Sequence, residues 1–288
     1  MPDFQRSGWE VPASDGYHLA CHQWQPQGTT PVARVVILHG IQSHAGWYVH
    51  LAETLARQGV DVLMPDRRGS GANTIARGHA ASGARLLADL TETVKAWNLR
   101  DQTSQKPFLA GISWGGKLAT IAVACQPQTY AGLALIAPGL FARVRPALPT
   151  QLRIAVAALF RPRKLFDIPL ADASLFTAQP QWQHFIDTDP ATLHQATARF
   201  FIVSRAFDMR LRRAAHHVKL PVLLQTAGRD RIVNNARIQA YFQSLPSADK
   251  TLVDYPEAHH TLEFEPEPVA TGYALDLKNW LLARAAHA

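Results

Sequence analysis

The chain has 288 residues, 47% of them apolar, which is enough to bury a large core and excludes a small scaffold stapled by disulfides or metal. Lys and Arg outnumber Asp and Glu by 29 to 22, a formal charge of +7, yet the basic residues are scattered apart from Arg161, Arg163, Lys164 and the group Arg210, Arg212, Arg213. With no basic run interleaved with aromatics and no zinc-finger or helix-turn-helix spacing, a solvated basic surface is expected and no nucleic-acid partner.

From the N-terminus, MPDFQRSGWEVP lacks the basic start and apolar stretch of a secretory signal, and no apolar run approaches the roughly 20 residues of a membrane span, so a cytoplasmic location is expected. GWEVP and YHLACHQWQ flank Ala13-Ser14-Asp15-Gly16, which reads as an antiparallel hairpin at a sheet edge. Short apolar runs follow at 35–40, 60–66, 108–113, 133–138, 222–228 and 251–256, each apolar on both faces, with helical patterns at 47–58, 83–98, 115–126, 234–244 and 267–285. Strands buried on both faces and separated by helices predict a mostly parallel sheet with helices above and below. The alternation fails between the sixth strand and the run at 222. Residues 140–219 therefore read as a helical lid inserted into a core made of 1–139 and 220–288. Within the insertion, helices are expected at 151–160 and at 190–207, the second capped by Asp189 with Pro190 in its first turn.

Cys21 and Cys125 stand in no metal or redox spacing and read as two unlinked core thiols. The thirteen histidines include no HExxH pattern, and the pairs His216-His217 and His44 with His50 lack a carboxylate at ligand spacing, so no metal and no cofactor are expected.

Gly111-Ile112-Ser113-Trp114-Gly115 is a GxSxG string directly after a predicted strand and before a predicted helix. Small flanking residues let strand and helix approach at a sharp turn while the serine hydroxyl projects above the sheet, and the helix N-terminus favours an oxyanion beside it. A serine hydroxyl is a weak nucleophile that needs a base, itself oriented by an acid. Asp230, past the strand 222–228, and His260, past the strand 251–256, supply both in the order Ser, Asp, His. All three fall at carboxyl ends of predicted parallel strands, where open α/β sheets build their sites.

The motifs HGIQSHAGWY, DRRGSG, GISWGG, DTDPATL, PVLLQTAGRDRIV and AHHTLEFE run in order over most of the chain, which resembles the α/β-hydrolase superfamily and, within it, the monoacylglycerol lipase, lysophospholipase and serine aminopeptidase group. The resemblance implies Ser113 as nucleophile, Asp230 as orienting acid and His260 as general base, with the backbone N–H groups of Ile41 and Trp114 as oxyanion hole. His39 and Gly40 would support the oxyanion turn. Of two adjacent histidines, His260 rather than His259 fills the slot five positions before an acid, Glu265. Trp114 departs from the small residue usual after the nucleophile and could narrow the pocket; Asn73 replaces a common serine, leaving Asp66 and Gly69 a turn role.

The implied substrate is a small-molecule carboxylic ester of the monoacylglycerol or lysophospholipid class. Amide or peptide hydrolysis, thioesterase or acyltransferase chemistry, and a non-catalytic scaffold stand as alternatives. Peptidase pockets for a free amino terminus generally need a convergent acid pair, and Asp167, Asp172, Asp187 and Asp189 in the lid show no clear pairing. Arg161, Arg163 and Lys164 could make weak peripheral contact with anionic membrane.

Overall fold

A computed structural model describes residues 3–285. In chain order the first half comprises β1 (Phe4–Pro12), β2 (His18–Pro26), β3 (Ala33–Leu38), α1 (Val49–Ala56), β4 (Val60–Pro65), α2 (Gly83–Arg100), β5 (Phe108–Ile112), α3 (Gly115–Cys125) and β6 (Leu133–Ile136). There follow α4 (Leu148–Phe160), β7 (Leu165–Asp167), α5 (Pro180–Thr188), β8 (Gln195–Thr197) and α6 (Ala198–Ala215), then β9 (Val222–Ala227), α7 (Asn235–Gln243), β10 (Lys250–Tyr255) and α8 (Val269–Ala285).

Eight strands form one sheet in the order β1-β2-β4-β3-β5-β6-β9-β10. The pairs from β4 through β10 are parallel; β1 and β2 form the expected antiparallel hairpin, and β2 pairs antiparallel with β4. Every residue of β3, β4, β5, β6 and β9 is buried, because α1 packs with α8, and α2 with α3, to enclose the sheet. β10 departs from its predicted two-faced burial. It is the edge strand, and Leu252 is 41% exposed.

The segment between β6 and β9 is tied to the rest of the chain by hydrogen bonds over the carboxyl ends of the strands. Leu193 N donates to Gln42 O at 2.9 Å, Thr197 N to Gly78 O at 2.9 Å, and Thr261 N to Phe176 O at 2.9 Å, while α6 lies along α3. Its helices differ from those expected. No helix runs from 190: Asp189 ends α5, and α6 starts at Ala198, where the Thr197 hydroxyl accepts from Phe200 N at 3.2 Å. The reason is tertiary. Asp189 Oδ2 accepts from His44 Nε2 at 2.8 Å and Trp47 Nε1 at 3.1 Å in the core and from Thr192 Oγ1 at 2.9 Å, while Oδ1 accepts from Ala191 N at 3.0 Å in a local turn that does not continue into a helix. Helix α5 and the two-stranded ribbon of β7 and β8 had no strong periodic signal, being nine and three residues long.

Both cysteines are unlinked, but only Cys21 is in the core; Cys125, at the end of α3, is exposed. Among the described residues no helix is long and apolar enough to cross a membrane.

Candidate active site

The turn from β5 into α3 holds Ser113 at φ 50°, in the left-handed region that a non-glycine residue adopts only when its surroundings enforce it. They do so with backbone bonds: Ser113 N donates to Ile136 O at 3.0 Å, and Ser113 O accepts from Gly116 N at 2.9 Å and Gly139 N at 2.7 Å. Strand and helix touch here. A Cβ on Gly111 would lie 2.6 Å from the Gly116 Cα, and one on Gly115 would overlap the Leu38 carbonyl, so both positions require glycine.

The loops after β9 and β10 bring the other two residues to the same edge. His260 Nε2 lies 2.8 Å from Ser113 Oγ, and His260 Nδ1 lies 2.6 Å from Asp230 Oδ2. Asp230 Oδ1 accepts from Ile232 N at 2.8 Å and Val233 N at 3.0 Å, so one carboxylate oxygen is held by backbone and the other faces the imidazole. Both side chains are nearly inaccessible to water. With Asp230 accepting, the Nδ1 position carries the proton and Nε2 is free to accept from the serine hydroxyl. Phe176 packs edge-on against the ring, with 6.1 Å between centroids.

His259 is turned elsewhere. Its backbone N and its Nδ1 each lie 3.1 Å from Glu265 Oε1, so the acid five residues past His260 engages the neighbouring histidine instead.

The loop after β3 approaches Ser113 closely: a Cβ on Gly40 would lie 3.3 Å from the Ser113 Cβ. His39 Nδ1–H donates to Gly40 O at 2.9 Å, and its Nε2 accepts from Arg67 N at 2.9 Å. Burial first, and then the Arg67 charge, push the His39 pKa down to about 3, so the ring is neutral and these two roles are fixed. Arg67 is the residue that sequence reasoning missed. Its Nη1 donates to Gly40 O at 2.9 Å and its Nη2 to Ile41 O at 2.8 Å, while its guanidinium lies over Trp114 and Phe200. A trans peptide points its C=O and N–H in opposite directions, so the donors gripping Gly40 O send the Ile41 N–H the other way. Ile41 and Trp114 border one cavity with Ser113. Asp66 holds the turn below, accepting from Ala45 N and Ala72 N at 2.8 Å each, and Asn73 ties it to β2 through Ala20 N at 3.0 Å.

The cavity has a volume of about 420 Å³ and is lined by Ser113 and by residues of α3, α4, α6 and α7. Ile154, Ile168, Phe201 and Leu211 supply apolar wall, and Lys117, Arg145, Arg205, Arg212 and Arg237 line the same cavity. Trp114 lines it, and its indole packs at a tilt against Phe200 and Phe207 and donates from Nε1 to Ser204 Oγ at 2.9 Å. Lys117, buried on α3, pairs with Asp208 of α6 at 2.5 Å, a contact with no local sequence signature.

A mostly parallel eight-stranded sheet between helical layers, with a serine on a strained turn from strand to helix, is the architecture of the α/β-hydrolases. The chain belongs to the serine aminopeptidase S33 family, whose model matches residues 29–267. It is similar to the monoglyceride lipase of Rattus norvegicus, with 29% identity over 276 residues that cover 95% of this chain and 89% of that protein. It is also similar to the phospholipase YtpA of Bacillus subtilis, 26% identical over 247 residues, 85% of this chain and 93% of that one. Among solved structures, the monoacylglycerol lipase of Paleococcus ferrophilus superposes with a TM-score of 0.82 at 24% identity over 92% of this chain and 99% of that chain. A soluble variant of the Saccharomyces cerevisiae monoglyceride lipase gives 0.81 at 23% identity over 97% and 94%. These two likenesses show the fold.

Proposed function

We propose that the chain is a serine hydrolase that cleaves carboxylic esters of the monoacylglycerol or lysophospholipid class through an acyl-enzyme. The observation that carries the reading is the line from Asp230 through His260 to Ser113, 2.6 and 2.8 Å, at the mouth of a partly apolar cavity. The names of the lipase and phospholipase relatives support the substrate class.

In this mechanism His260 Nε2 takes the Ser113 proton as Oγ attacks the ester carbonyl, and the N–H groups of Ile41 and Trp114 receive the developing oxyanion. His260 then gives that proton to the departing alcohol. Water activated by the same nitrogen attacks the acyl carbon, and the serine regains its proton. Asp230 stays ionised, fixing the tautomer and stabilising the transient imidazolium. Residues 1–139 and 220–288 carry the chemistry, and 140–219 act as a lid that supplies the walls for the acyl chain.

The family description favours a second reading, amide cleavage at a free amino terminus. The cavity's charges weigh against it. Its single acid among the described residues, Asp208, is already paired with Lys117, so an ammonium group would meet arginines instead of a carboxylate.

Contact with a lipid surface belongs to the same reading. Leu148, Leu152, Val156, Leu159 and Phe160 of α4 are each more than half exposed, and Arg153, Arg161, Arg163 and Lys164 lie beside them. An apolar face with a basic border suits an anionic membrane, where each cation contributes about 1 kcal/mol. Co-sedimentation with phosphatidylglycerol vesicles tests this.

The test of the reading itself is labelling by a fluorophosphonate together with hydrolysis of a short p-nitrophenyl ester. Both are expected in the wild type and neither in Ser113→Ala. Full activity in that variant would overturn the assignment.

A further inference from the structure

The cavity beside Ser113 is more cationic than the cleavage of a neutral ester requires. Five of the side chains around it are basic, Lys117, Arg145, Arg205, Arg212 and Arg237, against one acid, Asp208. Of these five, only Lys117 has an acidic partner within salt-bridge distance among the described residues, and that partner is Asp208 itself. The arginines come from separate parts of the chain: Arg145 precedes α4, Arg205 and Arg212 lie on α6, and Arg237 is on α7. They line one cavity because α6 packs against both α3 and α4.

Their other contacts are few. Arg145 Nε donates to Ala142 O at 3.1 Å, and the Arg237 guanidinium lies 4.7 Å over the Phe141 ring. Burial lowers the Lys117 pKa, Asp208 opposes that, and Arg145 and Arg205 lower it further, so these charges are near enough to feel one another. Lys117 is buried and the four arginines are exposed to solvent at the cavity's border. Like charges gathered around one cleft repel, and the field they set up there is relieved by an anion. Guanidinium groups bind phosphate and carboxylate oxygens in pairs, through bonds stronger than those between neutral groups.

We propose that the ester accepted here carries an anionic oxyacid group, a phosphate or a carboxylate, which the arginines lining the cavity hold while Ser113 attacks the carbonyl. This proposal rests on the hydrolase reading and decides within it between neutral and anionic substrates. Ile154, Ile168 and Phe201 line the same cavity and offer apolar wall to a chain. A phosphate would sit on the alcohol part, as in a lysophospholipid; a carboxylate would end the acyl part.

Two matched pairs separate these sources. Monolauroylglycerol is compared with its phosphomonoester, and p-nitrophenyl hexanoate with the mono-p-nitrophenyl ester of adipic acid, measuring kcat/KM at low and high salt. The anionic member of at least one pair is expected to be preferred on the order of tenfold, as one or two charge-assisted contacts supply, and the preference is expected to shrink with salt. Which pair shows it identifies the group. In Arg205→Gln and Arg145→Gln the ratio of anionic to neutral rates is expected to fall towards one, while Arg213→Gln, on the same helix and away from the cavity, keeps the wild-type ratio. Equal or poorer turnover of both anionic esters, with the neutral ones cleaved, overturns the proposal, as does a preference that survives both variants. Absence of any hydrolysis and of fluorophosphonate labelling would instead overturn the hydrolase reading.

Discussion

Asp230 and His260 meet at 2.6 Å with both side chains buried, although thirty residues of chain separate them. Among the described residues the imidazole has no other acid within salt-bridge distance, and Glu265 is engaged by His259. Asp230→Asn would place an amide donor against Nδ1 and force the wrong tautomer. An activity loss of about 10⁴-fold is expected, by analogy with the handed-over proton chemistry of serine proteases. His259→Ala, by contrast, is expected to change kcat less than about tenfold. Steady-state hydrolysis of a short p-nitrophenyl ester measures both, and a larger loss for residue 259 would exchange the roles of the two histidines.

Arg67 grips the carbonyls of Gly40 and Ile41 from below and touches nothing that reacts. It is a positioning residue. Arg67→Met keeps much of the stem's packing and releases both carbonyls, so the Ile41 N–H loses its direction. The expected signature is a fall in kcat of about 10- to 100-fold, less than removal of an oxyanion donor itself, with KM little changed. A fall in thermal stability with unchanged kcat would mean that the guanidinium serves the fold alone.

Asp189 fastens the segment between β6 and β9 to the core through His44 and Trp47. Asp189→Ala leaves those donors and Thr192 without their acceptor. A cost of about 2 kcal/mol is expected, read by denaturant unfolding, together with faster limited proteolysis within residues 161–194. Unaltered protease resistance would argue that other contacts hold this segment.

Glu263 is buried under α8, where the Tyr273 hydroxyl and Leu51 N donate to it. Burial pushes its carboxyl up to about 7. Because this value lies above the ordinary 4.5, the folded state keeps the proton where the unfolded chain releases it. Its contribution to stability is therefore complete below about pH 4.5 and is lost as pH rises through 7. Glu263→Gln carries no ionisable proton. Relative to the wild type, the variant is expected to gain stability between about pH 5 and pH 8, by at most about 3 kcal/mol. Thermal unfolding at both pH values checks this, and a constant difference would show that Glu263 stays ionised.

Much of the fold was legible because burial is a local property of composition. Runs such as VVIL and LALI can only be central strands, and the glycines around Ser113 are dictated by a turn two backbones wide. The order of Ser113, Asp230 and His260 along the chain followed from their places after such strands. Other features were illegible for a common reason. The edge position of β10, the exposed Cys125 and the late start of α6 depend on what lies next to each in space. Asp189 has the pattern of a helix cap and its Oδ1 accepts from Ala191 N, but a histidine and a tryptophan some 140 residues earlier hold its Oδ2 and only a turn follows.

By itself, then, the sequence determined the layered parallel sheet, the strained corner at Ser113 and the candidates for its base and acid, since apolar period, small residues and turn chemistry act over a few neighbours. Only the tertiary structure decided that Glu265 turns to His259, that Arg67 lies under the loop of Gly40 and Ile41, and that arginines from different elements line one cavity. A polar side chain's partner is set by the direction of its few hydrogen bonds and by charge at short range, and those quantities exist only once distant segments have been packed together.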